Sequence, residues 1–350
     1  MRAISAVDAV SAAIQRTRDF LFRPFRWGAF LKLGLVAIVT EGLGNNFHSS
    51  AHHDHSSGHG PTIDAPFNLQ PIQIAAIVAA VLLAFFLSIV IFYLITRLRF
   101  AFFHCLIHNT KEIRPGWRLY SAQATRFFWL NVGVGFCFLL LVGLTALPFV
   151  AGFVRLFHET QRGGPFPFGL LLSLVLPLIP IVVLLALAGI VTDLILRDWM
   201  LPHFALEDAT AGEAWTQVRI RIMAEKRQFI AYALLRLVLP TIAMIAVFIV
   251  LIIPGLAVAG SLAAIEYGIH SAFANATGGA AAAGVAIQVL FGVVAFFYAV
   301  LASICLGGPL STGTREYALI FYGGRYQPLG SILYPATALP PNEPGAPAIA

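Results

Sequence analysis

Charge is scarce in this chain. Only 11% of its 350 residues are Asp, Glu, Lys or Arg while 59% are hydrophobic, and the mean hydropathy is +0.84. That leaves too little polar surface to cover a water-soluble globule of this length, so lipid has to act as part of its solvent. Cysteine is nearly missing as well. Cys105, Cys137 and Cys305 form no CxxC pair, which excludes a disulfide framework and a cysteine metal motif. No GxSxG, HExxH, Walker loop or EF-hand pattern occurs, and the polar stretches between apolar runs are too short for a separate catalytic domain. The expectation is a non-enzymatic protein without a cofactor. A secretory signal is missing too: residues 1–26 alternate apolar and basic residues with Asp8 and Asp19, without a continuous apolar core or a small-residue cleavage site. This segment reads as a retained amphipathic helix.

What the chain does have is long apolar runs. A run of about 20 residues crosses the roughly 30 Å of bilayer hydrocarbon, and six segments qualify, the first only marginally: Trp27 to Leu43, Ile72 to Thr96, Phe127 to Val154, Phe166 to Leu196, Phe229 to Leu256 and Val285 to Leu306. The expected fold class is therefore an all-α integral membrane protein, with a six-helix membrane domain over residues 27–327. Pro148, Pro177, Pro180, Pro240 and Pro254 lie inside these runs and predict bends. The final stretch, 328–350, is rich in Pro, Ala and Gly, lacks periodicity and reads as a loose tail.

Charge asymmetry orients the runs. Of the 22 Lys and Arg residues, only Arg155 and Arg162 fall in loops assigned to the outer face. Short translocated loops are poor in Lys and Arg, so both termini and two central loops are placed in the cytoplasm. The net charge of +6 is spread along membrane boundaries instead of forming one patch with interleaved aromatics. Anionic lipid headgroups at the cytoplasmic face are the expected partners, with a membrane protein partner also open, and nucleic acid is not expected. The spans also repeat as three hairpins. Each is preceded by an Arg-bearing helical stretch, Ala6 to Phe25, Lys111 to Arg126 and Ala211 to Arg227. Asn109 with Glu112, and Thr210 with Glu213, have the spacing of a capping box. Trp117 and Trp215 then suit a helix lying in the headgroup plane.

Charged residues within apolar runs are costly and mark the candidate sites. Asp193 and Arg197, four apart at the inner end of the fourth span, share a helical face. Asp198 follows in the run DWMLP, where Pro202 is expected to stop the helix. Arg236 in the fifth span is expected to snorkel to headgroups or to reach Asp193. Glu41 lies near the outer end of the first span and reads as wetted by solvent. The outer loop, residues 45–70, carries His48, His52, His53, His55 and His59. Imidazole density suits Zn, Ni or Cu, but Ser and Gly supply no framework to hold ligands, so a solvated loop is the stronger reading. His104 and His108, four apart beside Cys105, read as interfacial packing. Glu266 and His270 read as a short surface helix.

The segments RPFRWGAFLKLG, DLILRDWMLPHFALED with its following AW, and TREYALIFYGG resemble a group of bacterial multi-pass proteins similar to the membrane domain attached to some glycerophosphodiester phosphodiesterases. The resemblance implies a membrane module of the bacterial cytoplasmic membrane. Hydrolysis in those relatives belongs to a separate soluble barrel, so no catalytic residue carries over. The leading expectation is a scaffold, or a partner- or lipid-binding module. The runner-up is a transporter or lipid-handling protein with a polar path near Asp193, Arg197 and Arg236.

Overall fold

The computed structural model describes residues 4–42, 71–161, 167–273 and 278–334. Every element among them is helical. In chain order they are α1 (Asp8–Phe22), α2 (Trp27–Ala37), α3 (Pro71–Ile107), α4 (Ile113–Leu119), α5 (Ser121–Gln161), α6 (Phe168–Leu194), α7 (Leu201–Leu206), α8 (Ala211–Ala224), α9 (Lys226–Phe273), α10 (Gly279–Gly323) and α11 (Gln327–Leu333). π-helical turns extend α2 over Ile38–Gly42 and join α6 to α7 over Ile195–Met200.

Among the described residues, five stretches are long and apolar enough to cross a membrane: Ala75–Ile107, Ser121–Gln161, Phe168–Leu206, Lys226–Phe273 and Ala282–Gly323. The chain is a multi-pass membrane protein. The most apolar window of each is 0% buried, except for 6% in the last. Large side chains such as Leu83, Phe248 and Phe297 are exposed, which hydrocarbon tolerates and water does not. These stretches run to 33–48 residues. At a rise of about 1.5 Å per residue they are longer than the roughly 30 Å of hydrocarbon they need to cross. Buried side chains collect toward one end of them, so packing and lipid contact occupy different lengths of the same helices.

Five of the six expected spans coincide largely with these stretches. The segment Trp27 to Leu43 differs. The structure describes its eleven residues of α2 and five of the π turn, and Leu43 and the His-bearing loop 45–70 lie outside the described residues. A buried charge at Glu41 interrupts its apolar character. Some other expectations need correction. α9 runs unbroken to Phe273, so Glu266 and His270 lie on it and not on a separate short helix. Pro202 does not end its helix: it sits in the first turn of α7, directly after the π turn, whose widened spacing accommodates the missing N–H. Asn109 caps no helix start. With φ of 52° it closes α3 in the left-handed region, and Thr110 N–H donates to Cys105 O at 3.0 Å, a Schellman-type exit. Asp208, φ 54°, ends α7 in the same region. Residues from Pro328 begin not as a loose tail but as α11, because Leu329 and Leu333 bury there and Leu333 closes over Gly323, where a Cβ would stand 2.7 Å from its Cδ1.

The helices belong to two compact units. Unit 1 comprises Met1–Asp54, Phe102–Ile113 and Glu225–Ala350. Its axis is the last third of α10. α1 buries Ala9, Ala13, Thr17, Phe20 and Leu21, a helical stripe, and ends where Arg23 turns extended before Pro24. α2 crosses α10 at Gly34 and Gly308, so close that a Cβ on Gly308 would lie 2.7 Å from Gly34 Cα. Tyr232 of α9 stacks on Tyr317 and Phe321 of α10, with centroids 4.9 and 4.4 Å apart. Arg325 ties three segments together: it pairs with Glu225 at 2.8 Å, donates to Ile4 O at 3.0 Å and lies over the Phe321 ring.

Unit 2 comprises His55–Ala101 and Arg114–Ala224. Its core is an edge-to-face series, with Phe100 on Phe127 at 5.6 Å and Phe127 on Phe204 at 5.3 Å, a geometry that aromatic quadrupoles favour. Arg97 lies over the Trp117 ring at 4.6 Å and donates to Trp117 O, tying α4 to α3. Arg126 pairs with Asp208. α8 opens with the expected capping box: Thr210 N–H donates to Glu213 Oε2 at 2.9 Å, and Glu213 N–H donates to Thr210 Oγ1 at 3.4 Å.

Candidate functional site

The residues able to carry chemistry are charges buried near the packed helix ends. In unit 2 the π turn Ile195–Met200 forms where Arg197 and Asp198 must both leave the lipid-facing side, and both are buried. π turns often mark functional positions because they re-aim side chains without breaking the helix. Arg197 Nη1 meets Asp193 Oδ2 at 3.4 Å; the arginine side chain is 5% exposed and the aspartate 43%. The expected pair is thus present, with a buried cation and a half-open anion. One turn on, His203 is buried and its Nδ1 lies 3.1 Å from Glu207 Oε2. Of the polar groups in the motif DWMLPHFALED, Asp198 and His203 are buried, while Glu207 and Asp208 are exposed.

Arg236 is paired within unit 1 with Glu41, Nη2 to Oε2 at 3.1 Å, and both side chains are largely buried. The reading of Glu41 as a wetted residue is therefore corrected. A carboxylate in the apolar flank of α2 is satisfied by the nearest guanidinium on α9, which serves Glu41 in place of a headgroup.

A third pair had no local signal in the sequence. Arg16 of α1 meets Glu316 of α10, Nε to Oε2 at 3.0 Å, with the glutamate side chain 0% exposed. Arg16 Nη2 also donates to Leu106 O at 2.8 Å. Three hundred residues separate the partners, so no spacing rule could join them. Arg99, Arg197 and Arg315 form a series of their own. Each is a buried arginine toward the packed end of a long helical stretch, and the two after Arg99 are followed directly by an acid, Asp198 and Glu316.

The weaker candidates resolve differently. His104 and His108 stack with ring centroids 4.5 Å apart, and buried Cys105 donates its S–H to Glu112 O at 3.3 Å, consistent with packing. His48, His52, His53, His55 and His59 lie outside the described residues. Among the described residues, no group of three or more His, Cys, Asp or Glu side chains comes together in a way that could hold a metal ion. Outside the spanning stretches, the Thr210 N–H and hydroxyl hold Glu213 below the usual carboxylate range, and burial raises the Tyr120 phenol. Some of these charges clamp separate helices, Arg16 with Glu316 and Arg236 with Glu41, while Asp193 with Arg197 and His203 with Glu207 pair within one helical run.

No curated protein and no solved structure matches the chain. A family model does match, over residues 4–332, nearly its whole length, and by that match the chain belongs to the family of unknown function DUF7544.

Proposed function

We propose that this protein is a non-enzymatic module of the bacterial cytoplasmic membrane. In this reading the chain makes six crossings as three hairpins, each opened by a surface helix on the cytoplasmic leaflet (α1, α4 and α8), with both termini inside, and it acts as a scaffold that binds lipid or a partner. α2 begins the first crossing. The observation that carries the reading is the division of labour along the helices: the most apolar windows are left almost wholly uncovered while the buried side chains gather toward basic ends. Arms built to face lipid, joined to ends built to pack, suit an anchor with a working inner face. The motif likeness to the membrane domain attached to some glycerophosphodiester phosphodiesterases supports the same role and brings no catalytic residue with it.

Selectivity of the lipid shell tests it. In vesicles of phosphatidylethanolamine and phosphatidylglycerol, spin-labelled anionic lipid should be enriched at the protein over its zwitterionic counterpart. Replacing exposed Arg18, Arg118 and Arg219 by Gln should remove most of that enrichment. Equal shells for both lipids in the wild type would refute the reading. The runner-up, a conduit using Asp193, Arg197 and Arg236, draws on the buried Arg236 pair inside the stretch Lys226–Phe273. It requires solute flux in the same vesicles that Arg236→Met abolishes.

A further inference from the structure

Between α1, the ends of α3 and α10, and α11, unit 1 holds a cavity of about 650 Å³, within the size range of about 300–1,000 Å³ of small-ligand sites. Its wall is divided by chemistry. Phe20, Ile107, Ile320 and Leu333 make the apolar part, and Gln15, Arg16, Asp19, His108, Asn109 and Tyr334 make the polar part. Ile107 closes the stretch Ala75–Ile107, and Ile320 lies in the last turn of Ala282–Gly323. The apolar part is therefore made by the packed ends of two spanning stretches, with Phe20 and Leu333, and the polar part by α1 and the turns beyond those ends. Such a boundary fits an amphiphile better than a freely soluble ligand.

The polar part is rich in donors. Two amides, a guanidinium, an imidazole and a phenol face a single carboxylate, Asp19, and Arg23 already sits 3.4 Å from that carboxylate. Arg16 commits Nε to Glu316 and Nη2 to Leu106 O, which leaves Nη1 uncommitted. Partial burial raises the Tyr334 phenol above its usual value, keeping its hydroxyl a donor. Arg18 and Arg23 stand 4.0 and 3.4 Å from the Asp19 carboxylate that lines the cavity, so with Arg16 the local balance is positive and attracts an anion. Phosphate oxygens, all acceptors, match this donor set.

We propose that this cavity takes the phosphate headgroup of one anionic membrane lipid, with its acyl chains leaving over Ile107 and Ile320. The proposal rests on the membrane-module reading and makes its lipid-binding part specific. A soluble phosphate ester shares the headgroup chemistry but has no use for the apolar wall.

The test uses the full chain, released from phosphatidylcholine nanodiscs containing a minor fraction of phosphatidylglycerol, with retained lipid counted by native mass spectrometry. The expected result is one phosphatidylglycerol per chain. Glycerol phosphate should fail to displace it at concentrations where short-chain phosphatidylglycerol succeeds. Ala12→Trp, which fills the cavity from α1, should lower retention at least tenfold with unchanged thermal unfolding, and Arg16→Gln should lower it similarly. Should Arg16→Gln fail to fold, Ala12→Trp or Ile332→Trp decides. Full retention in a folded Ala12→Trp variant overturns the site, and displacement by glycerol phosphate alone overturns the lipid as its source. Alkaline carbonate extraction separates the two levels. A chain that stays in the membrane yet retains no lipid sinks only this inference, whereas one that is extracted sinks the module reading itself.

Discussion

The Arg16 and Glu316 pair makes an asymmetric prediction. Across 3.0 Å, at an effective dielectric near 20, the direct attraction is on the order of 5 kcal/mol, offset by the desolvation of both ions. The two partners are not equally buried: Glu316 is 0% exposed and Arg16 25%. Arg16→Met strands a fully enclosed carboxylate and also removes the bond to Leu106 O, so it should cost about 3–5 kcal/mol. Glu316→Leu leaves a guanidinium that still reaches water and still donates to Leu106 O, and should cost about 1–3 kcal/mol. The double variant replaces the whole pair with apolar volume and should lie within about 1–2 kcal/mol of wild type. The coupling energy, read from a double-mutant cycle of reversible unfolding in mixed micelles, should therefore be at least about 2 kcal/mol and favourable. Equal costs for the two single variants, or additive losses in the double, would refute the idea that Arg16 is the principal partner of this buried charge.

Two further perturbations test the packing and the caps. Gly308→Ala should destabilise unit 1 by about 1–3 kcal/mol, because its Cβ meets the Gly34 backbone at 2.7 Å. Gly34→Ala should cost less, since its Cβ meets the Ile304 Cγ2 methyl at 3.0 Å and backbone atoms only at 3.4 and 3.6 Å; denaturation midpoints that reverse this order would contradict the crossing. Glu213 has a lowered folded pKa caused by Thr210. Its contribution to α8 should be fully present above the ordinary carboxylate value and lost as pH falls through the lowered one. Amide exchange at the start of α8 should show that loss in wild type, and Glu213→Gln should flatten it.

Several features of this protein follow from short-range rules. The five long helices, their all-helical class and the Thr210 capping box were legible because composition and spacings of three or four residues fix them. Asp193 and Arg197 were legible for the same reason, being four apart on one helix. The same local logic failed at Pro202 and Asn109. At Pro202 a π turn absorbs the ring, and at Asn109 the preceding helix takes as its left-handed exit a residue that looks like a start signal.

The remainder was decided only by the tertiary structure. Glu41 finds Arg236, Arg16 finds Glu316 and Gly34 finds Gly308 across 195, 300 and 274 positions of sequence, distances at which no periodic pattern carries information. A charge in an apolar helix has to be neutralised, but the sequence offers many partners and only packing selects one. Hydrophobicity determined that this chain enters lipid; the close fit of small residues and the burial of individual charges determined which helices hold each other once there.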